Sequence, residues 1–148
     1  DQGLRIRDLA DPSKKMSKSA ASDRGIIYLS DDPDTARQKV MTATTDSLNY
    51  VRYDKAQQPG VANLLELLAL LKGVSTRDVI KDFEGQTVYG PLKQATAAAA
   101  AAFLEDFKNT LDAVDDKRLE VILLASEQAM AEQANRTLDA VQKAVGLR

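Results

Sequence analysis

Beyond residue 30 the apolar positions recur at helical spacing, and turn residues fill the stretches between them. Asp32 before Pro33 sets a side-chain acceptor at a helix N-cap and a fixed φ at the first helical position. Ala36, Val40, Met41 and Thr44 then share one face. The stretch 45–60 is polar and turn-rich, and its final Pro59-Gly60 opens a helix over 61–72. Val61, Leu64, Leu65, Leu67, Leu68, Leu70 and Leu71 make that helix apolar nearly all round, the pattern of deep burial, and Gly73 ends it. Ser75 with Asp78 approximates a capping box for a short helix through Phe83, closed by Gly85. Gly90-Pro91 starts a long helix in which Leu92, Ala95, Ala99, Phe103, Phe107 and Leu111 repeat. The six alanines 97–102 inside it favour helix and close packing rather than low complexity. Asp115 or Asp116 caps a last helix, about 45 Å long at roughly 1.5 Å per residue. Its stripe is Leu119, Ile122, Leu123, Ser126, Ala129, Met130, Ala134, Leu138, Val141 and Val145, and Gly146 closes it. No internal repeat is visible.

Residues 1–30 follow neither period for long. They offer two short extended candidates, Leu4–Arg7 and Ile26–Leu29, within loop. A single strand cannot stand alone, so the chain is expected to begin inside a larger fold. Between the two candidates lies "ADPSKKMSKSAASDRG", residues 10–25, where Lys14, Lys15 and Lys18 stand among Ser13, Ser17 and Ser19. Pro12 and Gly25 flank it, which describes a surface loop.

Composition narrows the chemistry. The chain has 148 residues, 44% hydrophobic and 28% charged, ordinary for a soluble domain with a real core. Lys and Arg number 20 against 22 Asp and Glu, a net charge of −2, so any nucleic-acid contact must use a local patch. There is no Cys, which excludes disulfides and thiolate metal sites and fits a reducing cytoplasm. There is no His, which excludes His-based triads, zinc sites and His general bases. No metal-ligand set is expected. The longest apolar run, Leu67–Leu71, is far short of a membrane span.

The loop therefore carries the most chemistry. Lysine is a compact cation on a flexible stem, suited to a polyphosphate whose charge changes during reaction. Lys15 and Lys18, separated by Met16 and Ser17, can grip different oxygens of one triphosphate. Hydroxyls and exposed loop N–H groups add donors. Cations placed where charge develops on departing pyrophosphate stabilise the transition state more than the ground state. From charge spacing alone, a solvated surface loop and a basic localisation patch remain alternatives.

The string Lys15-Met16-Ser17-Lys18-Ser19 resembles the KMSKS motif of class I aminoacyl-tRNA synthetases. "GLRI" (3–6), "LADPSKKMSKS" (9–19), "TDS" (45–47), "RYD" (52–54), "PGVANLL" (59–65), "YG" (89–90) and the helical end in "VGLR" are similar to landmarks of the bacterial tryptophanyl members. That resemblance covers nearly the whole chain. It implies a mainly α fold: a C-terminal helical bundle preceded by the last strand and KMSKS loop of a Rossmann-like catalytic domain. Residues 1–30 are expected to end the catalytic domain and 31–148 to form a helical, anticodon-binding-type domain.

The resemblance further implies that Lys18 contacts the ATP phosphates and stabilises departing pyrophosphate, and that Lys15 approaches the triphosphate. Met16, Ser17 and Ser19 would shape the loop and touch nucleotide, and Ile6 would meet the adenosine end, mainly through its backbone. Arg37, Lys39 and Arg52 are candidate tRNA contacts; an ordinary solvated charge is the alternative for each. The implied activity is attachment of L-tryptophan to tRNA(Trp) through tryptophanyl-adenylate, with Mg2+ accompanying ATP through phosphates and water. Another class I synthetase, such as a tyrosyl enzyme, and a non-catalytic helical interaction module are the competing readings. The family also needs an N-terminal half with a His-containing motif, which a chain without His does not hold. This chain is accordingly expected to be a C-terminal part, inactive alone and monomeric or weakly associating, of a homodimeric cytoplasmic enzyme. Two positions depart from the family pattern: Ala20, where Asp often follows the motif, and Gln58, where Lys often precedes Pro-Gly.

Overall fold

The computed structural model describes residues 5–20 and 22–147. Among them are a three-residue 3-10 turn, Asp23–Gly25, and five α-helices: α1 Pro33–Met41, α2 Pro59–Lys72, α3 Thr76–Phe83, α4 Gly90–Asp112 and α5 Asp116–Ala144. The chain divides into two compact units, one running through Asn109 and one from Thr110.

The caps expected from sequence form where local chemistry places them. Asp32 Oδ1 accepts the N–H groups of Asp34 and Thr35 at 3.1 and 2.9 Å, and Pro33 takes the first position of α1. Ser75 Oγ accepts the Asp78 N–H at 3.2 Å. Asp115 caps α5 through the N–H groups of Lys117 and Arg118. Gly73 ends α2 at φ 66°, the left-handed region that glycine tolerates best.

α2 is the axis of the first unit. Val61, Leu64, Leu65 and Leu68 are buried, and Leu9, Val40, Val51, Val79, Leu92 and Ala100 pack around them. Each Val or Leu side chain among them contributes about 1.5–3 kcal/mol by leaving water. Leu70 departs from the expectation, being 52% exposed.

Three sequence expectations are corrected. α1 stops at Met41, so Thr44 lies beyond it, and both residues are exposed while Ala43 is buried. The buried face of α4 is Leu92, Thr96, Ala97, Ala100, Ala101 and Leu104, one position on from the expected stripe; Phe103 and Leu111 are exposed. A run of six alanines has no polar member to mark a face, so its larger neighbours mislead. Thr96 is tolerated in that face because its hydroxyl donates to the Leu92 carbonyl at 2.8 Å. α5 buries none of its residues, and Leu119, Ile122, Met130 and Val141 of its stripe are exposed. Its own unit offers no second complete helix to cover that stripe.

The expected strands are also absent among the described residues. Leu4 lies outside them, Arg7 forms one isolated antiparallel bridge with Lys15, and 26–28 is irregular. Among the described residues no neighbouring strand extends the bridge into a ladder.

The polar connection before α2 is held by a side-chain network. The Tyr89 hydroxyl donates to Asp46 Oδ1. The Leu48 N–H donates to the same oxygen at 2.9 Å. Gln58 Nε2 faces the Asp46 carboxylate, the Tyr50 carbonyl at 2.8 Å and the Tyr89 hydroxyl. Gln58 is thus buried, not part of a surface patch, and a lysine ammonium, all donor, would suit the same partners. Burial alone would raise the pKa of Asp46, but the hydrogen bonds from Tyr89, Leu48 and Gln58 outweigh it and hold the carboxyl below its ordinary 3.8. A depressed carboxyl stabilises the fold above its unfolded value, and that contribution is lost as pH falls through the lower folded value. Asp46→Asn is therefore expected to flatten the acid side of the stability profile. Thermal melts of both proteins at about pH 7 and about pH 2.5 test this; parallel loss would contradict it.

Candidate functional site

The lysine segment is a loop, as its composition indicates, but a strongly organised one. Asp8, buried at its start, accepts the N–H groups of Ala10 and Asp11 on Oδ1 at 2.8 and 2.9 Å. That carboxylate fills the space where a side chain on Gly25 would lie, its Oδ1 only 1.7 Å from the Cβ position, so any larger residue there would push Asp8 off the N–H groups it accepts. Asp11 accepts from the Ser13 N–H at 3.2 Å and the Ser13 hydroxyl at 2.5 Å. Backbone bonds Lys14 N–H to Asp11 O (3.0 Å), Asp8 N–H to Lys14 O (3.1 Å) and Met16 N–H to Ile6 O (3.0 Å) fold 6–16 back on itself.

This arrangement separates three lysines that look alike in sequence. Lys14 Nζ is 2.8 Å from Asp11 Oδ2. The side-chain bond from Lys14, with those of Ser13, holds the Asp11 carboxyl down to about 2, so it is charged throughout the physiological range. Lys15 and Lys18 are exposed and make no ion pair or hydrogen bond through their ammonium groups among the described residues. Lys18, Ser17 and Met16 border a cleft of about 440 Å³ with Ile26, Ile27 and Tyr28. Met16 also joins Ile6, Ile27, Leu67, Ala100 and Phe103 around an apolar cavity of about 650 Å³. Lys15 and Ser19 line neither. The motif thus brings together apolar lining, through Met16, and two exposed ammonium groups, Lys15 and Lys18, a combination suited to a ligand with an apolar body and an anionic tail.

The other cations are more engaged. Arg37, on α1, is exposed with Asp34 at 3.6 Å. Lys39, also on α1, lies mostly covered, 2.6 Å from Asp31 and 5.1 Å from the centre of the Tyr28 ring. Its charge is already answered by a carboxylate and a π-face. Arg52, in the connection before α2, is exposed with Asp54 at 3.6 Å. At such surface separations a pair contributes little, so Arg37 and Arg52 keep most of their charge for a partner.

Two polar side chains on α2 also belong to this region and were not singled out from sequence. Asn63 Oδ1 accepts the Arg7 N–H at 2.8 Å, and Asn63 Nδ2 donates to the Arg7 carbonyl at 3.0 Å. Glu66 Oε1 accepts from the Tyr53 hydroxyl and pairs with Lys55 Nζ, both at 2.6 Å. The signal was present: Asn63 and Glu66 interrupt an otherwise apolar run, and a polar residue buried there needs a partner.

Residues 4–105 match the family described as tRNA synthetases class I (W and Y). The tryptophan–tRNA ligase of Mycobacterium leprae (strain TN) is 40% identical over 144 residues, covering 96% of this chain and 42% of that protein. The tryptophan–tRNA ligase of Malacoplasma penetrans (strain HF-2) is 38% identical over 148 residues, covering 99% of this chain and 44% of that one. A crystal structure of tryptophanyl-tRNA synthetase from Mycoplasma pneumoniae superposes with a TM-score of 0.81 at 29% identity, over 97% of this chain and 44% of that chain. The chain therefore spans less than half the length of each of these relatives.

Proposed function

The chain belongs to the class I tRNA synthetases of the tryptophan and tyrosine group, and from that membership we propose that the intact protein is a tryptophan–tRNA ligase to which these residues contribute the lysine loop and the helical domain. Residues 1–30 would end the catalytic part and 31–148 hold tRNA, with Arg37 and Arg52 the exposed candidates for its phosphates. Lys39, covered and paired with Asp31, would instead brace α1.

In the first step a tryptophan carboxylate oxygen attacks the α-phosphorus of ATP. The bond from that phosphorus to the bridging oxygen breaks, and pyrophosphate leaves with the electron pair. In the second, a terminal hydroxyl of tRNA(Trp) attacks the adenylate carbonyl and AMP departs. Lys18 and Lys15 would meet the negative charge that grows on the leaving group, as cations positioned before the reaction begins. Ile6 and Met16 would face the nucleoside end, and Ser17 and Ser19 add hydroxyl donors. Among the described residues no group of three or more His, Cys, Asp or Glu is placed to hold a metal ion, so Mg2+ would arrive on the ATP phosphates with water. No helix among them is long and apolar enough to cross a membrane. A cytoplasmic homodimer is the assembly and place this reading carries.

The observation that supports the reading most is the contrast within one loop: Lys14 bound to its own carboxylate, Lys15 and Lys18 free. ATP–pyrophosphate exchange by the intact protein tests it. Exchange that depends on tryptophan is expected. Exchange with tyrosine alone would move the assignment within the family, and exchange with no amino acid would overturn it.

A further inference from the structure

A backbone segment with one isolated bridge should not hold its register. Arg7 does so because it has a neighbour on each side. On one side is Lys15, its antiparallel bridge partner. On the other is the carboxamide of Asn63, 56 residues along the chain and 2% exposed. An amide carries one acceptor and a donor pair, and here Oδ1 meets the Arg7 N–H while Nδ2 meets the Arg7 carbonyl. The side chain thus supplies the two bonds that a second strand would supply. The reversed amide would set donor against donor and acceptor against acceptor, so the orientation is fixed by its partners.

We propose that Asn63 is a positioning residue for the lysine loop: by gripping both polar groups of the Arg7 backbone it sets where Lys15 and Met16 stand relative to α2. The proposal rests on the ligase reading above, because it assigns Asn63 a part in delivering those groups to ATP. Among the described residues no other comparably buried side chain tethers the loop at this point. Thr44, which holds the Leu9 and Ala10 carbonyls at 2.7 Å through its N–H and its hydroxyl, acts two to three residues away and from an exposed position. Loss of the Asn63 grip therefore frees the bridge without dissolving the loop's own turns, which Asp8 and Asp11 maintain. Glu66, one turn along α2, binds Tyr53 and Lys55. One rigid helix face thus holds both the lysine loop and the segment that carries Arg52.

The test is Asn63→Asp in the intact protein. Aspartate keeps the size and can still accept the Arg7 N–H, but it sets a carboxylate oxygen against the Arg7 carbonyl. A cooperative melt with about a tenfold lower kcat/KM for ATP in pyrophosphate exchange, and unchanged tryptophan affinity measured without ATP, is expected. Equal losses for ATP and tryptophan would indicate a merely structural residue and overturn the proposal, as would unchanged kinetics. Exchange by the unaltered protein, assayed in parallel, separates the two levels: if it shows no tryptophan-dependent exchange, the ligase reading fails; if it does and Asn63→Asp does not impair it, only the positioning role fails. Should Asn63→Asp not fold, amide hydrogen exchange of the unaltered protein decides. The Arg7 N–H should exchange as slowly as the buried amides of α2. Exchange as fast as that of the Ser19 N–H would show that no grip exists.

Discussion

Lys18→Ala in the intact protein is expected to lower the rate of tryptophan-dependent pyrophosphate exchange about a hundredfold or more, with tryptophan binding in the absence of ATP unchanged. The physical reason lies in where the charge appears. Ground-state ATP is already anionic and solvated, so an exposed ammonium adds little to its binding. As the α-phosphorus bond breaks, charge accumulates on the pyrophosphate oxygens, and a cation already in place acts on that increment alone. Removing one such preorganised group typically costs about 10²–10³ in kcat. Lys15→Ala should act in the same direction. Lys14→Ala is the informative contrast, because its ammonium is held by Asp11 and its loss should change the rate only a few-fold. Three lysines within five positions are nearly indistinguishable by composition, so equal losses at all three would reduce the site to a diffuse positive patch. Pyrophosphate-exchange kinetics together with tryptophan binding measured alone decide between these outcomes.

Gly60→Ala is expected to be the most damaging of the small substitutions for stability. Gly60 is the second residue of α2, and a Cβ there would stand 2.2 Å from the Thr44 carbonyl oxygen. The obstacle is backbone, which cannot swing aside as a side chain can. Thr44 in turn holds the Leu9 and Ala10 carbonyls, so displacement of 44–45 pulls on the lysine loop as well. Overpacking of this kind costs about 1–3 kcal/mol. The intrinsic helix preference of alanine over glycine, about 1 kcal/mol at most, opposes it but is smaller. For a chain of this size each kcal/mol lowers the melting temperature by about 2–8 °C. Denaturant unfolding and thermal melts of the two proteins measure the loss; a variant as stable as the parent would mean that α2 and the 44–45 segment do not approach so closely.

Much of the helical frame was legible because it depends on neighbours in sequence. Asp32 and Ser75 announce helix starts through bonds that reach two or three residues, and Gly73 announces a stop through its own φ. The same locality explains why Lys15 and Lys18 could be singled out together: the motif is five consecutive residues. What failed was any inference that required knowing which side of an element meets another. The buried face of α4 lies one position on from the stripe its larger residues suggest, because alanines carry no mark of orientation. Thr44 likewise falls outside the helical face that its spacing suggests and is a tether in the following segment.

Sequence alone determined the helix boundaries at their capped ends, the depth of burial of α2 and the position of the lysine motif, since each follows from propensities, caps and periods that act over a few residues. Only the tertiary structure decided which lysines are free, that the Arg7 backbone is held by a carboxamide on α2, and that Gly60 lies against Thr44. Those outcomes depend on polar groups finding complementary partners up to 56 residues away. Hydrogen-bond satisfaction in a buried place is a property of the assembled fold, and no local rule in the chain specifies the partner in advance.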